Sequence, residues 1–212
     1  MYNSFFKRLL DIILSLFVLP FFCILFIIIA PLIWFNDKGP IFYNASRLGQ
    51  NGKIYKMYKF RSMKVNAPDI RNADGSTFNS DNDPRVTSIG KLLRKTSIDE
   101  VPQFLNVLKG DMSLVGPRPH VISDGFKYED LSEEKKHRLL VKPGITGFNQ
   151  AYYRNSVSSE KKIKNDNYYV DHISLLLDVK IVLHTIISVL KRDNINTVTS
   201  SDLSDNKVGA NK

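Results

Sequence analysis

The chain has 212 residues, a length that suits one catalytic domain with an appendage. Thirty Lys and Arg residues against 21 Asp and Glu give a net charge of +9, which favours partners that carry phosphate: nucleic acid, anionic lipid or a nucleotide. The only cysteine, Cys23, lies in an apolar run, which excludes a disulfide framework and favours a cytoplasmic catalytic part.

The first predicted element is a membrane helix. From Ile12 to Phe35 the chain has 24 residues without a charge, and a rise of about 1.5 Å per residue gives roughly 36 Å of helix. That length crosses a hydrocarbon core of about 30 Å. A cleaved signal peptide fits less well, because its apolar core is about 7–15 residues long and is followed by a small-residue cleavage site.

Two topologies fit this segment. Lys and Arg lie on both of its flanks, and these residues prefer the cytoplasmic side of a membrane. Pro20 and Pro31 lie inside it, and each removes a backbone hydrogen bond and favours a kink. A re-entrant helical hairpin satisfies both observations. A kinked single span is the alternative, because long domains are translocated largely regardless of charge.

A small β region and a long loop come next. Residues 37–63 contain short apolar and aromatic pieces around Asn51-Gly52, which is typical of a hairpin or two short strands. Residues 64–84 are too polar for a core and indicate a surface loop of the length that is often functional. Helical periodicity resumes near Ile89.

Sharper local signals follow in the middle of the chain. Ser97 and Glu100 have the spacing of a capping box, which predicts an α-helix that starts at Ile98 and ends by Gly110. Two prolines then flank Arg118, and their fixed φ angles predict a stiff turn that presents this arginine.

Two more helices are predicted in the C-terminal half. A charged helix lies between residues 129 and 140, and a Pro-Gly turn at 143–144 ends it. An amphipathic helix runs from about 174 to 190 and either packs on the domain or lies at the bilayer interface. The polar tail, residues 193–212, is expected to be disordered.

The adjacent carboxylates Asp99 and Glu100 are the strongest candidates for a catalytic centre. Cations precede and follow them, and this combination suits phosphate chemistry. A carboxylate can attack phosphorus or hold a divalent metal, while arginines neutralise the charge on a phosphoryl group. The alternative is that both residues only start a helix, where acidic side chains interact with the helix dipole by about 0.3–1 kcal/mol.

Other candidate residues lie near turns or element ends. Cations that converge at such places form natural pyrophosphate sites. The cations so placed are Lys59, Arg61, Arg85, Arg94, Arg118 and Lys142. The histidines and the lone cysteine lack the spacing of a zinc site. No recognised nucleic-acid module is present, which disfavours nucleic acid as a partner.

Short motifs follow one another along most of the chain. They are Lys7-Arg8 with Asp11, Gly39-Pro40-Ile41-Phe42, Arg47-Leu48-Gly49, Tyr58-Lys59-Phe60-Arg61-Ser62-Met63, Asp83-Pro84-Arg85-Val86-Thr87, Leu93-Arg94, Ser97-Ile98-Asp99-Glu100-Val101-Pro102-Gln103, Asn106-Val107-Leu108-Lys109-Gly110-Asp111-Met112-Ser113, Val115-Gly116-Pro117-Arg118-Pro119 and Lys142-Pro143-Gly144-Ile145-Thr146-Gly147. In this order they resemble the bacterial sugar transferase family, the polyprenyl-phosphate phosphoglycosyl transferases, in its small monotopic form.

The resemblance implies a two-step reaction. Asp99 attacks the sugar-bearing phosphorus of a UDP-sugar, releases UMP and carries a covalent phospho-sugar, which polyprenyl (undecaprenyl) phosphate then accepts. The resemblance further implies that Glu100 organises the site, that magnesium is held near Asp99, and that Arg94 and Arg118 bind phosphate. The implied location is the cytoplasmic face of the bacterial inner membrane, among its lipids, at the first membrane step of a surface glycan pathway.

The expected fold is α+β, and the resemblance favours the re-entrant form of its membrane helix. Residues 1–36 form that helix, and residues 37–192 form a small, mostly helical catalytic domain with a β-hairpin and membrane-surface amphipathic helices. Residues 193–212 form the tail. The transferred sugar and the existence of a homodimer are left open.

Three positions depart from the family pattern. Cys23-Ile24 stands where the family usually has the Ser-Pro pair that breaks the re-entrant helix, so a break is expected at Pro20 instead. Ala45 replaces a common glutamine, and Phe148-Asn149 replaces a common Trp-Ala. These changes are expected to alter sugar choice or local packing.

Two rival functions are weighed against the transferase. Asp81-Asn82-Asp83 has the Asp-x-Asp form of the metal site in many nucleotide-sugar glycosyltransferases, which release UDP, although here it follows a polar loop and not a buried strand. A non-enzymatic scaffold would use the basic residues to bind anionic lipid, and Asp99 and Glu100 would only cap a helix.

Overall fold

A computed structural model describes residues 2–70, 78, 80, 83–122, 126–153 and 156–191. Its helices are α1 (Lys7–Asp37), α2 (Ser88–Thr96), α3 (Gln103–Lys109), α4 (Glu133–His137), α5 (Phe148–Tyr152), α6 (Ser159–Asp171) and α7 (Leu175–Lys191). Its strands are β1 (Ala45–Leu48), β2 (Ile54–Met57), β3 (Ser113–Val115), β4 (His120–Val121) and β5 (Gly144–Thr146). The fold is α+β, as predicted. The predicted disordered tail and parts of the predicted loop 64–84 lie outside the described residues.

The N-terminal helix α1 is continuous over 31 residues, which is about 46 Å at 1.5 Å per residue. Pro20 and Pro31 lie inside it, and the helix runs through both. The break expected at Pro20 is therefore absent from this structure. Asp11, Ser15 and Phe22 are buried, with spacings of four and seven residues, and so form one stripe along the helix. This stripe packs on the rest of the chain and supports the helix on both sides of Pro20.

Both ends of α1 contact the same folded domain. Near its start, Arg8 Nη2 donates to Leu108 O at 2.9 Å, at the C-terminal end of α3. At its last residue, the Asp37 carboxylate accepts from both Nη atoms of Arg61. The two ends of the helix therefore both pack on the folded part of the chain that follows it.

The remaining surface of α1 is apolar and uncovered. Phe17 is 84% exposed, and Ile27 and Phe35 are more than two-thirds exposed. By length and composition alone the helix could cross a membrane, and only 17% of its most apolar window is buried. A core helix of a soluble protein would be mostly buried, so this exposure favours association with a membrane.

The predicted hairpin is confirmed. β1 and β2 pair antiparallel from Ala45 opposite Met57 to Leu48 opposite Ile54. The connecting turn uses positive φ at Asn51 (53°) and at Gly52 (80°), which Asn and Gly adopt most readily. β4 pairs with the free side of β1, and β3 pairs in parallel with β5 in a separate two-stranded sheet.

The predicted C-terminal amphipathic helix is confirmed as α7. Ile181 is buried, while the exposed apolar residues of α7 are Leu175, Leu176, Val179, Leu183, Ile186 and Ile187. Asp178 of α7 is buried in contact with Lys7. Tyr169 Oη also donates to Asp178 at 2.8 Å. The start of α7 is thereby fixed to the start of α1.

The predicted start of an α-helix at Ile98 is wrong, and the predicted capping box is not formed. Ser97 adopts a left-handed conformation (φ 57°) and ends α2, and its side chain caps nothing. A single 3-10 turn follows at Ile98–Glu100, and α3 begins only at Gln103. Pro102 explains this division, because it has no N–H to continue an α-helix from Ile98. The charged helix predicted over 129–140 is shorter than expected and reduces to α4.

Candidate active site

Lys59, Phe60 and Arg61 join the candidate site to α1. Their backbone is held in extended form, since Lys59 O accepts from Tyr43 N and Arg61 N donates to Ile41 O, both at 2.8 Å. Phe60 is fully buried. Its ring belongs to an aromatic cluster that also contains Phe22, Phe26 and Phe42. The side chain of Lys59 is left to face the adjacent carboxylates.

Asp99 and Glu100 lie in the 3-10 turn between α2 and α3, and Asp99 is 2% exposed. Phe60 N donates to Asp99 O at 3.0 Å, which fixes this turn against the Lys59 segment. Lys59 Nζ is 2.8 Å from Asp99 Oδ2 and 3.4 Å from Glu100 Oε1. The shorter contact is an ion pair without hydrogen-bond geometry, and Asp99 Oδ2 has no hydrogen-bond partner among the described residues.

The surroundings shift the pKa values of the two carboxyl groups in opposite directions. Burial raises the pKa of Asp99, and the positive charge of Lys59 opposes that rise only in part. Burial acts in the same direction on Glu100, but Lys59 and Arg118 outweigh it and hold the pKa of Glu100 below its usual value. The pKa of Lys59 is raised because the two carboxylates outweigh its own burial. Adjacent carboxyl groups with separated pKa values are typical of groups with different chemical tasks.

Arg94 reaches this centre from the last turn of α2. Thr87 caps the start of that helix by accepting from Gly90 N at 3.0 Å. Gly90 lies against Ser62, and a Cβ at this position would be only 1.9 Å from Ser62 O. Arg94 Nε in turn donates to Ser62 Oγ at 2.9 Å. Burial lowers the pKa of Arg94, and the charge of Arg94 helps to stabilise ionised Asp99.

Arg118 lies in the Pro-Arg-Pro loop between β3 and β4, as the sequence predicted. Its side chain is 60% exposed, and Arg118 Nη2 lies 3.5 Å from Glu100 Oε1. The structure therefore brings together Lys59, Arg94, Arg118 and both carboxylates.

Two other predicted phosphate ligands lie elsewhere. Arg61 is occupied by Asp37 and by backbone carbonyls at the end of α1. Arg85 Nη2 is 2.7 Å from Asp83 Oδ2, and this pair is buried. In the structure neither arginine contacts Asp99. Asp83 is thus engaged by Arg85, while Asp81 and Asn82 of the Asp-x-Asp pattern lie outside the described residues.

Arg47 is a candidate that sequence reasoning did not select. It is half-buried in β1, and its side chain donates to Ser46 O at 3.0 Å. No carboxylate pairs with it in the described part of the chain. Burial lowers the pKa of Arg47, and nearby Arg118 acts in the same direction. Arg47, close to Arg118 and without a carboxylate of its own among the described residues, is therefore a candidate for binding an anion. The Arg47-Leu48-Gly49 motif was visible, but its position beside Arg118 depends on β1–β4 pairing.

Lys142 lies at a separate cavity of about 350 Å³ near the C-terminal end of α3. The other lining residues are Gly49, Gln50, Asn51, Lys53, Tyr55, Gly110 and Asp111. This cavity therefore does not include the carboxylate pair.

The comparison with known families accounts for nearly the whole described chain. The model of the bacterial sugar transferase family matches residues 2–192. The chain belongs to the bacterial sugar transferase family. The match includes α1 as well as the carboxylate pair and the Arg118 loop.

Some similar proteins are longer than this chain, and others have about the same length. The chain is 44% identical over 192 residues to galactosyl transferase CpsE of Streptococcus agalactiae, covering 87% of this chain and 42% of that protein. It is 39% identical over 208 residues to undecaprenyl-phosphate galactose phosphotransferase of Salmonella typhimurium, covering 90% and 42%. The chain thus spans about two-fifths of these two relatives. Exopolysaccharide production protein PSS of Rhizobium leguminosarum matches over 194 residues at 39% identity, covering 88% of this chain and 96% of that protein.

The donor atoms around the carboxylate pair fit magnesium only in part. Among the described residues, no group of three or more His, Cys, Asp or Glu side chains could hold a metal ion. Mg²⁺ is however commonly held by one or two carboxylates together with substrate phosphates and water. Asp99 Oδ2, buried and without a hydrogen bond, and the neighbouring Glu100 fit that smaller set.

Proposed function

We propose that this protein is a phosphoglycosyl transferase that moves a sugar 1-phosphate from a UDP-sugar to undecaprenyl phosphate. The observation that carries the proposal is the buried Asp99 beside Lys59, with Glu100, Arg94 and Arg118 around it. Relatives named undecaprenyl-phosphate galactose phosphotransferase and UDP-glucose:undecaprenyl-phosphate glucose-1-phosphate transferase support the class of substrates. The reaction would begin a surface glycan at the inner membrane.

The proposed first step uses Asp99 as the nucleophile. A carboxylate oxygen forms a bond to the sugar-bearing phosphorus, and the bond from that phosphorus to the bridging oxygen breaks. The electron pair leaves with UMP. Lys59 and Arg94 stabilise the ionised carboxylate before attack, and Arg118 offsets the charge that develops on the phosphoryl oxygens.

The second step returns Asp99 to its starting state. A phosphate oxygen of undecaprenyl phosphate attacks the same phosphorus, and the acyl phosphate bond to Asp99 breaks. The product is undecaprenyl diphosphate-sugar. Glu100, with its low pKa, stays ionised through both steps and orients Lys59 and Arg118.

Magnesium would be held by Asp99, with Glu100 close by, together with the donor phosphates. Bound there, it would neutralise charge on the pyrophosphate and assist the departure of UMP. Lys59 and Arg118 already offset the charge of the carboxylates in the structure, so the ion would serve chiefly the charge of the donor.

The two contacts of α1 with the domain support a monotopic insertion, in which α1 is unbroken and both of its ends lie on the same face of the membrane. A helix that crossed the bilayer would carry Arg8 to the side opposite the domain that Arg8 contacts. Single cysteines at Asn3 and Asn51, in a Cys23→Ser background, should therefore both resist a membrane-impermeant thiol reagent in intact cells. Labelling at Asn3 alone would establish a full span.

The rival functions have less support in the structure. Asp83 is paired with Arg85 and is buried, so it is poorly placed to hold the metal of a glycosyltransferase that releases UDP. The capping box on which the scaffold alternative relied is not formed. A helix start therefore no longer explains why two acidic residues and Lys59 lie together.

The nature of the released nucleotide tests the proposal directly. Purified protein in detergent, with magnesium and a panel of UDP-sugars, should release UMP in a burst before any lipid acceptor is added. Intact-protein mass spectrometry should show the mass of a phospho-sugar on Asp99. Asp99→Asn should abolish both signals, whereas Glu160→Gln on the surface should leave them unchanged. Release of UDP, or turnover by Asp99→Asn, would exclude this mechanism.

A further inference from the structure

The loop that presents Arg118 offers few backbone groups by which it can be held. Pro117 and Pro119 have no N–H, so the carbonyl oxygens become the main points of attachment. Gly144 N donates to Pro117 O at 2.9 Å. Arg138 Nη2 donates to Arg118 O at 2.8 Å. One attachment of this loop is therefore a side chain from outside the site.

Arg138 is held in turn by a buried network. Its Nη2 forms an ion pair with Asp166, and the two side chains are 12% and 2% exposed. Asp166 accepts from Asn149 Nδ2 at 2.7 Å, and Asn165 Nδ2 donates to Asn149 Oδ1 at 2.9 Å. A single nitrogen, Arg138 Nη2, thus contacts both the Asp166 carboxylate and the carbonyl of Arg118.

We infer that Arg138 is a positioning residue for Arg118, and that Asp166 and Asn149 hold Arg138 in place. This inference rests on the proposed function, in which Arg118 binds the donor phosphates. Arg118 is largely exposed and lies 3.5 Å from Glu100, so contacts of its own side chain restrain it little. The backbone carbonyl of Arg118 is therefore the group through which another residue can fix the position of Arg118.

The network also explains one departure from the family pattern. Asn149 occupies a position where alanine is common, and here its amide bridges Asn165 and Asp166 from α6. Removing one partner of a buried ion pair is costly, whereas Lys at position 138 keeps the charge. Arg138 makes both contacts with Nη2, and Lys, whose flexible side chain is one bond shorter, does not hold its ammonium at that position. Arg138→Lys should therefore release the loop without unfolding the protein.

A double-mutant cycle on the full-length protein tests the inference. With saturating acceptor, Arg138→Lys should lower kcat/KM for the UDP-sugar by about tenfold, since misplacement of about 1 Å can cost up to 10²-fold. In an Arg118→Lys background the same change should cost less than about twofold. Fully additive losses would overturn the inference. Glu160→Gln removes another carboxylate of α6, one that pairs with Lys164 on the surface, and should change neither background.

Amide hydrogen exchange gives a readout that does not depend on turnover. The peptide covering residues 113–122 should exchange faster in Arg138→Lys than in Glu160→Gln, with similar thermal midpoints. Unchanged exchange of this peptide in Arg138→Lys would show that Arg138 does not hold the loop. Faster exchange with unaltered kcat/KM would show that holding the loop does not affect turnover. If the wild type released no UMP from any UDP-sugar while exchange rose as expected, the proposed function would fail and the attachment would stand.

Discussion

Gly90→Ala should destabilise the protein, although alanine is the better helix former. In an unhindered helix interior the change would stabilise by about 1 kcal/mol. At this position the new Cβ would lie 1.9 Å from Ser62 O, and relief of the overlap needs a shift of roughly 1 Å or more. Overpacking of this kind costs about 1–3 kcal/mol. The thermal midpoint should therefore fall by several degrees, at about 2–4 °C per kcal/mol for a chain of this size.

The same shift should reach the catalytic centre. Arg94 Nε donates to Ser62 Oγ at 2.9 Å, and a displacement of about 1 Å would take that distance beyond hydrogen-bond range. UMP release should fall by about tenfold or more. Differential scanning fluorimetry in detergent and the UMP assay measure the two effects, with Lys91→Ala as the control on the exposed face of α2. An unchanged or higher thermal midpoint for Gly90→Ala would refute the packing argument.

Three further substitutions test the groups around the carboxylates. Arg118→Lys keeps the charge but loses the planar grip on phosphate, so kcat/KM should fall at least about tenfold; near-normal turnover would reduce Arg118 to a surface charge. Lys59→Gln removes the cation that opposes the raised pKa of Asp99, so the acidic limb of the pH profile should move to higher pH, and an unmoved limb would separate Lys59 from the nucleophile. Arg47→Gln loses no ion pair, so it should raise KM for the donor severalfold while stability is kept; an unchanged KM would remove Arg47 from the site.

Local signals in the sequence predicted much of the fold correctly. The β1–β2 hairpin follows from Asn51-Gly52, and α7 follows from its apolar periodicity. The end of α3 follows from Gly110, which has φ of 95°. Each of these features depends on residues close together in the chain. The predicted capping box was wrong because the spacing of Ser97 and Glu100 fits both the start of an α-helix and the observed 3-10 turn. Pro102 excludes the α-helix.

Pairings between distant residues were beyond such signals. Arg61 and Arg118 both lie near turns and look alike in sequence, yet one is neutralised by Asp37 and the other faces Glu100. Asp178 reads as a polar interruption of α7 until Lys7 is brought beside it. Arg47 lies close to Arg118 only because β1 pairs with β4. Side-chain type therefore identified the candidate cations. Tertiary contacts distinguished those that lie around the carboxylate pair from those that are engaged elsewhere.

The shared core of α1 and the domain limits how a soluble form could be engineered. Phe22, Ile29 and Ile33 of α1 form one apolar cluster with Phe60 and Leu93 of the domain. Deleting the helix would uncover that cluster next to Lys59 and invite aggregation. Polar substitutions on the outward side of α1 would leave the cluster intact. A soluble variant should therefore retain the helix and change only the residues on the outward side of α1.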